Sequence, residues 1–228
     1  MVDLPSSPLG DIDAEFEKLG LETGGMTFAL TGTTIREKLL QNLANDICRQ
    51  QLGLAFELHV TAAHQFGIPY ADLLALLRFT APYAGYPAAD ALGRISEIAA
   101  SIGMDTTPQP VAPAQPAGEK SGPPEESTKP DQPIASADPW MAEFLQSRIS
   151  RASSEQRLSP RERAFVALTT AVSQGTLNET FDAHVRHALQ AGANPNQIRD
   201  AVRFCAEMGV AKAADALRAL DTILTDFQ

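Results

Sequence analysis

The chain has 228 residues, enough for one large domain or two small ones. Its 28 acidic residues against 18 basic ones leave a formal charge of −10, which repels a phosphate backbone and argues against nucleic acid as a partner. No apolar run reaches the roughly 18 residues that a membrane-crossing helix needs, and the opening stretch MVDLPSSPLGDIDAEFEK lacks the basic and apolar segments of a secretory leader, so a cytoplasmic protein without membrane contact is expected.

The first clear helix start is TIRE at 34–37, where Thr34 caps and Glu37, three residues on, completes a capping box. A second helix runs from near Leu52 to Gly67, where a left-handed stop is expected. Its Phe56, His59, Val60 and Ala63 recur at i, i+3, i+4 and i+7, which puts His59 on the apolar face. In YAGYPAADAL at 83–92, Gly85 ends a third helix and Pro87 starts a fourth, whose Ala88, Ala89 and Ala91 allow close helix packing. Residues 105–138 hold eight of the sixteen prolines and few large apolar side chains, and read as a semi-extended linker.

The same signals then return. Ser159, Pro160 and Glu162 form a second capping box, a helix from near Leu177 stops at Gly192, and Asn194 and Pro195 open another. Slid by 125 residues, 36–92 aligns without a gap on 161–217, matching Arg36 with Arg161, Glu37 with Glu162, Phe56 with Phe181, His59 with His184 and Gly67 with Gly192. Such a match argues for internal duplication. Period-two alternation is absent, so the expectation is an all-α fold: a first helical domain at 1–104, a linker at 105–138 and a second, diverged domain at 139–228.

Few residues here can carry chemistry. His59 and His184 occupy the same inward position, and an inward histidine is either a hydrogen-bonded core residue or a functional one. His64 lies about 140° around the helix from His59, and a lone His184-x-x-His187 lacks further ligands, so no metal is expected. The two glutamates have a capping role that explains their recurrence; Arg36 and Arg161 are left as candidates for pairing with a substrate carboxylate or a neighbouring helix. Tyr83 and Tyr86 flank the bend of the first repeat, where the second has Met208 and Ala211, so the first repeat is the better candidate for a working site. Cys48 and Cys205 stand alone and read as buried structural thiols.

HVTAAHQFG (59–67) followed by YAGYPAA (83–89), and HVRHALQAG (184–192) followed by MGVAKAA (208–214), resemble the carboxymuconolactone decarboxylase family in the order and spacing of helix, glycine stop and turn. LGDIDAEFEKLGLET (9–23) is similar to that family's leading helix. A peroxidase-type branch of the family carries a C-x-x-C pair ahead of the histidine; those positions are Leu52 and Ala55, and Leu177 and Thr180, so thiolate chemistry is not expected. The resemblance implies a cofactor-free decarboxylase, or a related lyase or isomerase, acting on a small carboxylated lactone or a polyketide- or aromatic-derived acid. His59 and His184 would be its acid/base residues, with Arg36, Arg161, Tyr83 and Tyr86 as binding or oxyanion candidates. It also implies a homo-oligomer, a trimer first and a dimer next. A non-catalytic assembly or ligand-binding scaffold is the alternative, and a redox protein using an isolated cysteine a third reading.

Overall fold

The computed structural model describes residues 9–108 and 138–225. Most of the expected linker, 109–137, lies outside the described residues, as do the two ends. The first half holds α1 (Ala14–Phe28), α2 (Ile35–Arg49), α3 (Leu54–Gln65), α4 (Tyr70–Ala84) and α5 (Pro87–Ser101). The second holds α6 (Pro139–Ser153), α7 (Pro160–Gln174), α8 (Glu179–Gln190), α9 (Pro195–Phe204) with a 3-10 turn at Cys205–Met208, and α10 (Val210–Thr225). The described residues contain no strand, and the fold is all-α. The starts of α1, α2, α3 and α4 recur 125 residues later in α6, α7, α8 and α9.

The helix ends are where the local chemistry puts them. Thr34 and Ser159 both close capping boxes, with Glu37 and Glu162 reaching back to the cap N–H. Asn194 forms a third box with Gln197. Gly85 ends α4 at φ 69°, a value that costs an L-residue and suits glycine, and Pro87 then takes the first position of α5.

The centre of the molecule is the packing of α2 on α7, the most extensive helix pair in the structure. Both helices are buried on most sides, yet α2 carries Glu37, Lys38, Gln41, Asn42, Asn45 and Asp46 into the interior. Each needs an internal partner, because a buried polar group without one costs about 1–3 kcal/mol. Gln41 donates to the Thr169 hydroxyl at 2.8 Å and to the Ala201 carbonyl at 2.9 Å, and the Ser173 hydroxyl donates to Asn45 Oδ1 at 2.8 Å. Lys38 Nζ donates to the carbonyls of Phe28 and Leu30. Arg163, its equivalent in α7, donates to the carbonyls of Glu155 and Leu158. In both halves, then, a cation, buried at Lys38 and half-buried at Arg163, ties down the loop that follows the leading helix.

The arginines left open by the sequence are used at this seam. Arg36 Nε donates to Glu162 Oε1 at 2.6 Å, and Arg161 Nε to Glu37 Oε1 at 2.7 Å. The second oxygen of each glutamate accepts the cap N–H of its own helix, Thr34 at 2.7 Å and Ser159 at 2.6 Å. One carboxylate thus closes its helix end and holds the opposite half. Arg36 also pairs with Asp72 at 2.8 Å, while Arg161 donates to Gln197 and to the Gly32 carbonyl. A Cβ at Gly32 would stand 2.8 Å from an Asp200 carboxylate oxygen, so only glycine lets the α1–α2 loop lie this close to α9.

The leading helices cross to the opposite half: α1 rests on α9 and the 3-10 turn, and α6 rests on α4. That exchange brings residues of each half against the histidine of the other. The double role of the glutamates gives the first prediction. Glu162→Gln keeps an oxygen for the Ser159 N–H but loses the charge facing Arg36, whereas Glu162→Ala loses both, so Ala should cost about 1–3 kcal/mol and Gln clearly less. Urea unfolding midpoints of the two variants measure the difference, and equal losses would refute the double role.

Candidate functional site

His59 sits on α3 beside the buried face of α2, thirteen residues after Asp46. The spacing is fixed by the turn at Gln50, the one non-glycine residue with positive φ among the described residues, which folds α3 back along α2. His59 Nδ1 lies 2.5 Å from Asp46 Oδ2, and its Nε2 lies 3.3 Å from the Asn42 amide. The imidazole is 24% exposed and the carboxylate 4%. Burial pulls the His59 pKa down, but the hydrogen bond and charge of Asp46, with the charge of Glu207, outweigh it and hold the pKa above 6.5.

Glu207 reaches this site from the other half, on the 3-10 turn after α9. Its Oε2 accepts from the Thr27 hydroxyl of α1 at 3.1 Å, and it also bonds to Asn42. Burial raises its pKa, against the opposing pull of His59. His59, Asn42 and Glu207 border a cavity of about 180 Å3 whose other walls, including Leu21, Phe28 and Leu39, are mainly apolar. Glu17 borders the same cavity, so three titratable groups face a mainly apolar space.

The matching position in the second half is built differently. His184 is 1% exposed, and neither ring nitrogen has a hydrogen-bond partner among the described residues. At an offset of 125, Asp46 is replaced by Ala171, Asn42 by Ala167 and Glu207 by Pro82. The cavity beside His184 measures about 290 Å3. Without a carboxylate, burial and the neighbouring His187 pull the His184 pKa down to about 3, so this imidazole is neutral at physiological pH.

Of the residues singled out in the sequence, the structure gathers His184 and Tyr83 in this second cavity, their rings edge to face at 5.8 Å. Tyr83 therefore lies with the histidine of the other half and not with His59. Tyr86 is 93% exposed and borders neither cavity. Arg36 and Arg161 face carboxylates at the α2–α7 seam, outside both cavities. Burial pushes the thiols of Cys48 and Cys205 up to about 12, so both remain protonated at neutral pH. No cluster of three metal-ligating side chains occurs among the described residues, and no described helix is long and apolar enough to cross a membrane.

Asp46, Asn42 and Glu207 were not singled out from the sequence. A signal for Asp46 existed: α2 would present Asn42 and Asp46 one helical turn apart beside the buried Leu43. For Glu207 there was none, because its role depends on how the halves pack. Residues 139–222 match the model of the Carboxymuconolactone decarboxylase family. No curated protein matches the chain.

The neutral His184 makes a prediction about acid. Its folded-state pKa lies below the ordinary 6.5, so the folded state binds fewer protons than the unfolded one as pH falls. Its contribution to stability is whole above pH 6.5 and drains away as pH drops toward about 3. Tyr83, His187 and Arg163 border the same cavity, and none of them offers a carboxylate to hold a protonated ring. Urea midpoints measured from pH 7 to 4 should therefore fall less steeply in His184→Phe than in the parent protein.

Proposed function

We propose that the first half, which repeats the family-matching 139–222 segment at an offset of 125 residues, carries a cofactor-independent lyase site with His59 as the acid/base group. The observation that carries this reading is the 2.5 Å contact of His59 Nδ1 with the buried Asp46, beside a cavity that Glu207 also borders. The substrate class is a small carboxylated lactone or a related cyclic acid. Its carboxylate approaches the imidazolium while its ring lies against Leu21, Phe28 and Leu39.

Loss of carbon dioxide breaks the carbon–carboxylate bond, and in an α,β-unsaturated lactone with its carboxylate on the γ carbon the electron pair passes through the ring C=C into the lactone carbonyl to form a dienolate. Spreading that charge over a larger group suits apolar walls better than the localised carboxylate does. His59 Nε2–H then delivers a proton to carbon, and the neutral imidazole regains one from solvent. Asp46 holds the Nδ1 proton, fixes the ring and stabilises the imidazolium between turnovers. The Asn42 NH2, which lies 3.3 Å from Nε2 and also bonds to Glu207, faces the ring once the proton has left, when Nε2 can accept. In this reading Arg36 and Arg161 build the seam and touch no substrate. His184, lacking an acidic partner, takes no part in the proton transfer.

Carbon dioxide release from an α,β-unsaturated γ-carboxylactone tests the proposal. His59→Asn should lower the rate at least about 100-fold, and Asp46→Asn should lower it while shifting the alkaline limb of the pH profile to lower pH, since the carboxylate that raises the imidazole pKa is gone. His184→Asn should leave the rate within about twofold. A parent protein that releases no carbon dioxide, or a His59→Asn variant as fast as the parent, would overturn the reading.

A further inference from the structure

The cavity beside His184 contains a functional group with nothing to bond. The side chain is 1% exposed and both ring nitrogens are buried without a partner, although a neutral imidazole presents one donor and one acceptor. In the first half the equivalent ring is satisfied by Asp46 and Asn42; here Ala171 and Ala167 stand at those positions and offer it no polar partner. The cavity beside the ring measures about 290 Å3, against about 180 Å3 beside His59. A cavity of about 150 Å3 holds benzene, so the larger one admits a substituted or bicyclic ring.

The walls define what fits. Phe79, Tyr83, Ile149, Ala164 and Ala167 make them mainly apolar, with two aromatic faces. No carboxylate borders the cavity, which disfavours a cation. The guanidinium of Arg163 is engaged with the Glu155 and Leu158 carbonyls, and the neutral His184 brings no charge, which gives an anion little to hold it. What suits the imidazole is a neutral hydroxyl, able to donate to its acceptor nitrogen while the attached ring lies against Phe79 and Tyr83. We propose that this cavity is a second binding site, distinct from the His59 site, for a neutral hydroxylated aromatic molecule whose hydroxyl bonds to His184.

The site is formed by both halves, with α4 supplying Phe79 and Tyr83 and α6, α7 and α8 the remaining walls. Its occupant therefore bridges the halves, and binding there stabilises their packing by mass action.

The experiment titrates the full chain, labelled with 15N-histidine, with 2-naphthol and in parallel with naphthalene. Saturable binding of 2-naphthol that moves the His184 ring nitrogens and leaves those of His59 in place is expected, with naphthalene binding about tenfold more weakly for want of the hydroxyl. His184→Phe should erase the difference between the two probes, and His59→Asn should preserve it. Ala167→Met, which fills the cavity and leaves the imidazole, should weaken both probes at least tenfold and serves if the Phe variant fails to fold. The proposal is overturned if 2-naphthol does not bind, if it moves His59 in place of His184, if the two probes bind alike, or if a resident water already satisfies the ring so that its shifts do not respond.

Discussion

The contact of α2 with α7 is the constraint from which the rest of the molecule follows. Both helices run through the interior, so their polar side chains must find partners within the protein. The reciprocal pairs Arg36–Glu162 and Arg161–Glu37 fix the two helix starts against each other, and Gln41 and Asn45 continue the polar contact along the seam. Because the glutamates are also caps, the helix ends and the interface between the halves depend on the same carboxylates. Shifting α2 against α7 would break both at once.

That seam decides where the cavities lie. The leading helices cross over it, and so do the ends of α4 and α9, which place Tyr83 near His184 and Glu207 near His59. Neither cavity is complete within one half. The two imidazoles, placed alike on α3 and α8, then diverge through their neighbours: a carboxylate beside His59 raises its pKa despite burial, while burial without a carboxylate brings that of His184 down to about 3. The backbone supplies the position, and residues 46, 42 and 207 against 171, 167 and 82 supply the chemistry.

Much of this was legible in the sequence, for local reasons. Capping boxes, glycine stops and prolines at first helical positions act over four or five residues, so α2, α7 and α9 begin where Thr34, Ser159 and Asn194 say they should. The inward placement of both histidines followed from helical spacing. What was not legible depends on packing between halves. Arg36 looked available because its partner Glu162 lies 126 residues away and had already been given a local role. Tyr83 was grouped with His59 because they share a half, yet the crossing of α4 sends it to the other cavity. Glu207 carries no motif and is defined only by the turn that brings it to Thr27 and Asn42.

The unpartnered imidazole of His184 sharpens the contrast between the sites. A buried ring with neither nitrogen bonded carries a penalty of about 1–3 kcal/mol, a large part of the stability of a small domain. Phenylalanine at the same place would fill the space and avoid that penalty, so packing alone does not account for the histidine. At His59 the polarity is answered from inside the protein, by Asp46 and Asn42. At His184 the corresponding groups are gone and a cavity borders the ring, whose donor and acceptor have no partner among the described residues.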